Sequence, residues 1–113
     1  MKIKKEILGD VAVLHLSGAM LGGPPTSEIF PAEIKSIIDE GINKVVVDLG
    51  KVKRMNSTGL GILIRGYTSL RNNNGDLKLA NLNPLMKGVL VTTKLDTIFE
   101  SYPSIDEAVD SFG

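Results

Sequence analysis

A nucleophile could lie at the centre of this chain, where two hydroxyl side chains and an amide stand side by side. They open the segment Asn56-Ser57-Thr58-Gly59-Leu60-Gly61. A serine or threonine hydroxyl can attack a carbonyl or cap a helix, and an asparagine amide can also cap. A helix start needs one cap, so the surplus of polar side chains indicates a surface that another molecule contacts, centred on Ser57.

Catalysis by Ser57 would require a general base and a third group that orients the base. The chain has one histidine, His15, which lies in a predicted strand with no serine, cysteine or acid in a recognisable arrangement around it. We interpret His15 as a half-buried packing residue. We therefore expect no catalytic residue and no enzymatic activity.

The glycines of the segment could instead cradle a phosphate. They lack the third glycine of a dinucleotide-binding turn, and no lysine of the P-loop type follows them. A simpler alternative is steric, because Gly59 and Gly61 let the first helical turn pack closely on a neighbouring strand or leave its amides bare. We expect no nucleotide or other cofactor.

The composition argues against several classes of function. Thirteen basic and thirteen acidic residues give a net charge of zero and form no block, so nucleic acid is not expected as a partner. The chain has no cysteine and one histidine, so neither disulfides nor a metal site are expected. No apolar run has the length of a signal peptide or a membrane span, which predicts a soluble, cytoplasmic protein without membrane insertion.

The elements that position the central segment are predicted from hydrophobic periodicity and from turn and cap residues. The glycines and prolines of Gly18–Pro25 predict a loop or an irregular edge that exposes Met20 and Leu21. Pro31 is expected within the first turn of a helix. In chain order we predict a hairpin over Ile3–Ser17 that turns at Gly9-Asp10, a helix that begins between Ser27 and Pro31 and stops at Gly41, a strand over Lys44–Leu49, a helix from Asn56 to Asn72, a strand around Leu77–Leu79, a helix from Asn83-Pro84 to about Val91, a brief strand over Thr97–Phe99 and a helix after the capping box Ser104–Glu107.

Beyond the hairpin, each predicted strand is followed by a helix. This order is typical of an α/β fold in which parallel crossovers stack helices on a mixed sheet. At 113 residues the chain fits one domain, residues 1–113, with about five strands and about four helices.

Several segments resemble the STAS domain, and in particular the anti-sigma factor antagonists of bacteria. The resemblance implies the STAS fold, a single domain with a mixed central sheet and helices packed mainly on one face. It rests on Val45-Val46-Val47-Asp48-Leu49, Met55-Asn56-Ser57-Thr58-Gly59-Leu60-Gly61, Gly75-Asp76-Leu77-Lys78-Leu79-Ala80-Asn81 and Thr93-Lys94-Leu95-Asp96-Thr97-Ile98-Phe99, in the order of the family.

The resemblance also implies a regulated binding function. In the family, the serine before Ser/Thr-Gly-Leu-Gly is phosphorylated by a partner that is both an anti-sigma factor and a serine kinase of the histidine-kinase-like ATPase type, and a separate phosphatase removes the phosphate. By resemblance the acceptor here is Ser57, with Thr58 as second choice, and the unphosphorylated protein binds this partner and so releases a sigma factor. A different function stays open, namely an adaptor STAS subunit of a larger complex, for example a transporter-associated one, without a phosphorylation cycle.

The expected contact face for the partner combines the central segment with neighbouring apolar and basic side chains. Two departures from the family's usual pattern remove negative charge there, because Asn56 stands where Asp is usual and Gly22-Gly23-Pro24-Pro25 replaces a common acidic residue. The expected contact residues are Met20, Leu21, Met55, Asn56, Ser57, Thr58, Leu60, Gly61 and Arg65.

Overall fold

Valine-rich segments form the middle of a five-stranded sheet in the computed structural model, which describes all residues from Met1 to Gly113. None of its helices has the length and apolarity that crossing a lipid bilayer demands. The elements in chain order are β1 (Lys2–Leu8), β2 (Val11–Met20), α1 (Thr26–Asp39), β3 (Lys44–Met55), α2 (Ser57–Arg71), β4 (Asp76–Ala80), α3 (Pro84–Thr92), a short 3-10 helix (Leu95–Thr97), β5 (Ser101–Tyr102) and α4 (Ile105–Asp110).

The strands lie side by side in the order β1-β2-β3-β4-β5. β1 is antiparallel to β2, and every other neighbouring pair is parallel. The hairpin turns at Gly9, whose φ of +65° suits glycine, and Leu8 therefore pairs with Val11. The mixed sheet and the parallel crossovers expected from the sequence are confirmed.

The two faces of the sheet bury different helices. Alternate residues of β2, such as Leu14 and Leu16, join the main core with side chains of α1, α2 and α3. The intervening Val13, together with Val46 of β3, forms a smaller cluster with Ala108 of α4. The helices are thus packed mainly on one face, as expected, while α4 covers part of the other.

Several predicted boundaries are confirmed by their cap geometry. Gly41 ends α1 with a φ of +86°. The Oδ1 of Asn83 accepts a hydrogen bond from the amide of Met86 at 2.9 Å, and the Oγ of Ser104 accepts one from the amide of Glu107 at 3.1 Å. Both side chains therefore act as N-caps, of α3 and α4 respectively.

The loop predicted over Gly18–Pro25 is wrong in its first part. β2 continues to Met20, because β3 also runs beyond the predicted Leu49 to Met55 and the two strand ends pair. The side chain of Met20 is fully buried, so its expected exposure is wrong. Leu21 is half-buried.

The strand predicted over Thr97–Phe99 is also wrong. The 3-10 helix Leu95–Thr97 takes up part of this segment, and β5 follows only at Ser101–Tyr102. Phe99 is buried and packs edge-on against Tyr67, with ring centroids 5.2 Å apart. This packing accounts for the apolar side chain of Phe99, whereas Ile98 is exposed.

The first helix begins early enough to place Pro31 beyond its first turn. α1 starts at Thr26, so the expected position of Pro31 in the first turn is wrong. The missing amide of Pro31 removes the usual helical partner of the Ser27 carbonyl. The structure tolerates this loss because both residues are exposed.

Candidate functional site

The junction of β3 and α2 places the central polar segment at a helix start. Asn56 has extended backbone angles, φ −116° and ψ 175°, and its Oδ1 accepts a hydrogen bond from the amide of Gly59 at 2.7 Å. Asn56 is therefore the N-cap of α2. The hydroxyls of Ser57 and Thr58, both in exposed residues, are not needed for capping and are available to a partner.

The same oxygen of Asn56 also holds the loop that follows β2. It accepts a second hydrogen bond from the amide of Gly22 at 3.2 Å. A Cβ on Gly22 would overlap the side chain of Thr58, so the loop lies directly against the helix start. Loop and helix start therefore form one continuous surface around Ser57.

The two glycines of the segment have different surroundings. A Cβ on Gly59 would collide with the carbonyl oxygen of Met20, which confirms the steric interpretation for Gly59. A Cβ on Gly61 would meet no atom within 4 Å, so close packing does not explain this glycine. Gly61 shares a helix face with Thr58 and Arg65 by its spacing of three and four residues, and it leaves that face flat between them.

The expected contact residues separate into an accessible group and two buried side chains. Met20 and Leu60 are 0% and 5% exposed and belong to the main core, so the expectation that their side chains contact a partner is wrong. Met20 is buried because the end of β2 pairs with the end of β3. Leu60 lies on the core-facing stripe of α2. The accessible or half-buried members are Leu21, Met55, Asn56, Ser57, Thr58, Gly61 and Arg65.

The electrostatic surroundings of Ser57 favour negative charge. No acidic side chain lies in the first turn of α2. The unpaired amides and the dipole of the helix make this end partially positive, and the exposed Lys53 and Arg54 come shortly before it. A negatively charged group on Ser57 would therefore meet no acidic neighbour within this turn.

A polar cluster that the sequence analysis missed joins the first three strands. The Nδ1 of His15 hydrogen-bonds the Oδ2 of Asp48 at 2.9 Å, and its Nε2 hydrogen-bonds the Oε1 of Glu6 at 3.0 Å. The expected half-burial of His15 is confirmed, but the expectation that no acid is arranged around it is wrong. The one signal in the sequence that could have indicated this cluster is Asp48, a polar residue that follows a run of valines.

The two carboxylates control the charge of His15. Burial opposes its charged form, but the hydrogen bonds and negative charges of Glu6 and Asp48 outweigh burial and raise the pKa of His15 above its ordinary value of 6.5. Burial likewise opposes ionisation of Asp48, yet hydrogen bonds from the Gly50 amide, His15 and Asn81 hold the pKa of Asp48 below 3.8.

The cluster does not supply the chemistry of an enzyme at Ser57. Both ring nitrogens of His15 are engaged by carboxylates, so neither is placed to take a proton from Ser57. No group of histidine, aspartate and glutamate side chains in the structure converges to hold a metal ion.

The fold and the helix-start site define a STAS-domain protein. The model of the STAS domain family matches residues 2–108 of the chain. This match covers nearly the whole sequence, and the chain belongs to the STAS family.

Within this family, the chain is similar to proteins described as anti-sigma factor antagonists. It is 27% identical to BtrV, a candidate anti-sigma factor antagonist of Bordetella bronchiseptica, over 99% of this chain and 95% of BtrV. A candidate anti-sigma factor antagonist of Thermotoga maritima superposes with a TM-score of 0.85 at 24% identity, covering 96% of this chain and 92% of that one.

The anti-sigma factor antagonist SpoIIAA has the same fold in two solved forms. The unphosphorylated form superposes with a TM-score of 0.75 at 20% identity, covering 98% of this chain and 97% of SpoIIAA. The phosphorylated form, from Bacillus, gives a TM-score of 0.75 at 21% identity, covering 99% and 100% of the two chains.

Proposed function

We propose that this protein is a non-enzymatic anti-sigma factor antagonist whose binding is switched by phosphorylation of Ser57. Unphosphorylated, it binds an anti-sigma factor that is also a serine kinase of the histidine-kinase-like ATPase type, and a sigma factor is thereby released. A phosphatase restores the hydroxyl. The observation that carries the proposal is the exposed Ser57 at the first position of α2. Its hydroxyl is not used for capping, because the side chain of Asn56 caps the helix.

The relatives support the role and the modification separately. BtrV and the Thermotoga maritima protein are described as anti-sigma factor antagonists. SpoIIAA, which bears the same description, exists in a phosphorylated form. A chain of the same fold with an exposed serine at a helix start is suited to the same kind of control.

Ser57 is better placed than Thr58 to accept the phosphate. The side chain of Thr58 lies against Gly22, where an added Cβ would overlap it. In the transfer, the Oγ of Ser57 attacks the γ-phosphorus of ATP, ADP leaves, and the hydroxyl proton passes to a base of the kinase. The kinase must supply that base, because the ring nitrogens of His15 are already engaged.

Phosphorylation would change the surface more than the fold. It adds up to about two negative charges at a helix N-terminus, where amides and dipole stabilise them. A partner that docks flat against this helix start must then bury an unpaired dianion. Burying an uncompensated charge costs about 3–5 kcal/mol, which weakens binding by at least about a hundredfold.

The modification is tested by incubating the protein with ATP and the candidate kinase encoded in the same genome. We expect intact-mass spectrometry to show one added phosphate on the wild type and on the matched control Thr58→Val, and none on Ser57→Ala. A Ser57→Ala variant that is phosphorylated as fast as the wild type would exclude Ser57 as the acceptor.

The switch is tested by capturing partners with the wild type, Ser57→Ala and Ser57→Asp. We expect the first two to retain the anti-sigma factor and the third to lose it. Equal capture by all three, together with no phosphorylation by any kinase tried, would favour the adaptor function.

A further inference from the structure

The part of the sheet that α4 leaves open carries a concentration of lysines. Lys2 and Lys4 of β1 pair with residues of β2 on the same side as the His15 cluster. Lys51 of β3 also pairs with β2 on this side, and Lys53, at an irregularity of the same strand, borders the same groove as Lys51. We name Lys2, Lys4, Lys51 and Lys53 the lysine face.

The lysine face carries an excess of positive charge. Its four members are exposed, and none of them forms an ion pair, whereas several other lysines of the chain do. The carboxylates of Glu6 and Asp48 line the same groove and hydrogen-bond His15, and the four ammonium groups outnumber these two negative charges. Because the whole chain has a net charge of zero, this excess of positive charge is local to one surface.

Two adjoining grooves run across the lysine face. One has a volume of about 660 Å³ and is lined in part by Lys2, Lys4 and Lys51. The other has a volume of about 830 Å³ and is lined in part by Lys51, Lys53 and Leu85. Lys2 and Lys51 border both grooves, so the two form a continuous path, and Leu85, 44% exposed, adds an apolar contact.

We propose that the lysine face binds an extended acidic segment of a protein partner, with an apolar side chain of that segment against Leu85. The unpaired ammonium groups give charge complementarity to spaced carboxylates. The carboxylates of such a segment can be spaced so that none lies against Glu6 or Asp48. A nucleic acid carries a phosphate at every nucleotide, so its backbone would place negative charge beside these two carboxylates. Contact with Leu85 also favours a protein over a polyphosphate.

This surface is distinct from the one proposed around Ser57. None of the residues expected to contact the anti-sigma factor lines either groove. The two surfaces can therefore be occupied by different partners or by two parts of one partner, and the lysine face does not depend on phosphorylation.

The probe for this surface is a short, end-capped peptide in which aspartate and glutamate flank a central leucine, with its asparagine and glutamine counterpart as control. Amide chemical shifts of the whole protein are followed during titration. We expect shifts at Lys2–Lys4, Ser17–Gly18 and Lys51–Lys53 with the acidic peptide, a loss of affinity as salt rises from about 50 to about 300 mM, and no binding of the neutral peptide.

Two charge-matched variants locate the site. Replacing Lys4 and Lys51 with glutamine should weaken binding of the acidic peptide about tenfold, while replacing Lys87 and Lys94, which also lack ion pairs, should leave it unchanged. Equal affinity of both variants, shifts elsewhere on the molecule, or no binding of the acidic peptide would overturn the proposal. Tighter binding at the same lysines by a single-stranded oligonucleotide or by phosphatidylglycerol vesicles would overturn the choice of partner.

Discussion

Asn56 holds Gly22 through the same oxygen atom with which it caps α2. Its Oδ1 lies 2.7 Å from the amide nitrogen of Gly59 and 3.2 Å from that of Gly22. One uncharged side chain thus fixes both the start of the helix and the loop that packs beside it, and it leaves the hydroxyl of Ser57 exposed.

Replacing Asn56 with alanine should therefore destabilise the protein through two lost hydrogen bonds. We expect the free energy of unfolding to fall by about 1–2 kcal/mol, because an N-cap is worth about 1 kcal/mol and the loop bond adds a similar or smaller amount. Urea unfolding followed by circular dichroism measures the change.

The matched variant Asn56→Asp keeps an acceptor at the same place and adds a negative charge near the positive end of the helix. We expect its stability to equal or exceed that of the wild type by up to about 1 kcal/mol at low salt. An aspartate variant as unstable as the alanine variant would show that hydrogen bonding by this side chain is not what holds the loop and the helix.

Gly59 and Gly61 offer a second matched comparison, since both lie in the first turns of α2 and differ in their surroundings. Gly59→Ala would press a methyl group onto the carbonyl of Met20 and should cost about 2–3 kcal/mol. Gly61→Ala meets open space and should stabilise the helix by about 0.5–1 kcal/mol. Thermal unfolding of both variants checks the opposite signs, and equal effects would contradict the packing of Gly59 on β2.

The elements that depend on local signals could be predicted from the sequence. The valine-rich strand at Lys44, the cap at Asn83 and the stop at Gly41 each follow from a few adjacent residues. The burial of Met20 could not be predicted, because it depends on pairing with the charged end of β3, Lys51–Met55, where Val52 alone is fully buried.

Of the candidate site, the helix start at Ser57 could be predicted from the sequence, and the His15 cluster could not. Ser57 stands out through the surplus of capping groups around it, which is a property of neighbouring residues. The His15 cluster joins side chains from β1, β2 and β3, so it exists only once the register of three strands is known.

The charge preference of the helix start can be measured at Ser57 itself. Ser57→Asp places a negative charge at the first position of α2, and Ser57→Lys places a positive charge there. We expect the aspartate variant to be more stable by about 1 kcal/mol at low salt, with the difference shrinking as salt is added. If the lysine variant were equally stable at low salt, the amides and dipole of the helix start would not favour a negative group such as a phosphate on Ser57.

The pH dependence of stability should report the hydrogen bonds of His15. The pKa of His15 is raised in the folded protein, so the folded state binds the proton more tightly than the unfolded state does. The resulting stabilisation is complete below the unfolded pKa, about 6.5, and is lost as pH rises through the folded pKa.

Asp48 contributes to stability in the opposite direction of pH. Its pKa is lowered in the folded protein, so its contribution is present above pH 3.8 and is lost as pH falls through its folded pKa.

The variant His15→Gln keeps a hydrogen-bonding side chain but removes the titrating ring. We expect the wild type to lose stability relative to this variant as pH rises from about 6 to about 9, measured by urea unfolding at each pH. Asp48→Asn, which removes one of the two carboxylates that favour the charged ring, should bring the pKa of His15 down toward its ordinary value. Proton NMR of the His15 ring gives that pKa directly in both proteins, and a wild-type value at or below 6.5 would show that burial outweighs the two carboxylates.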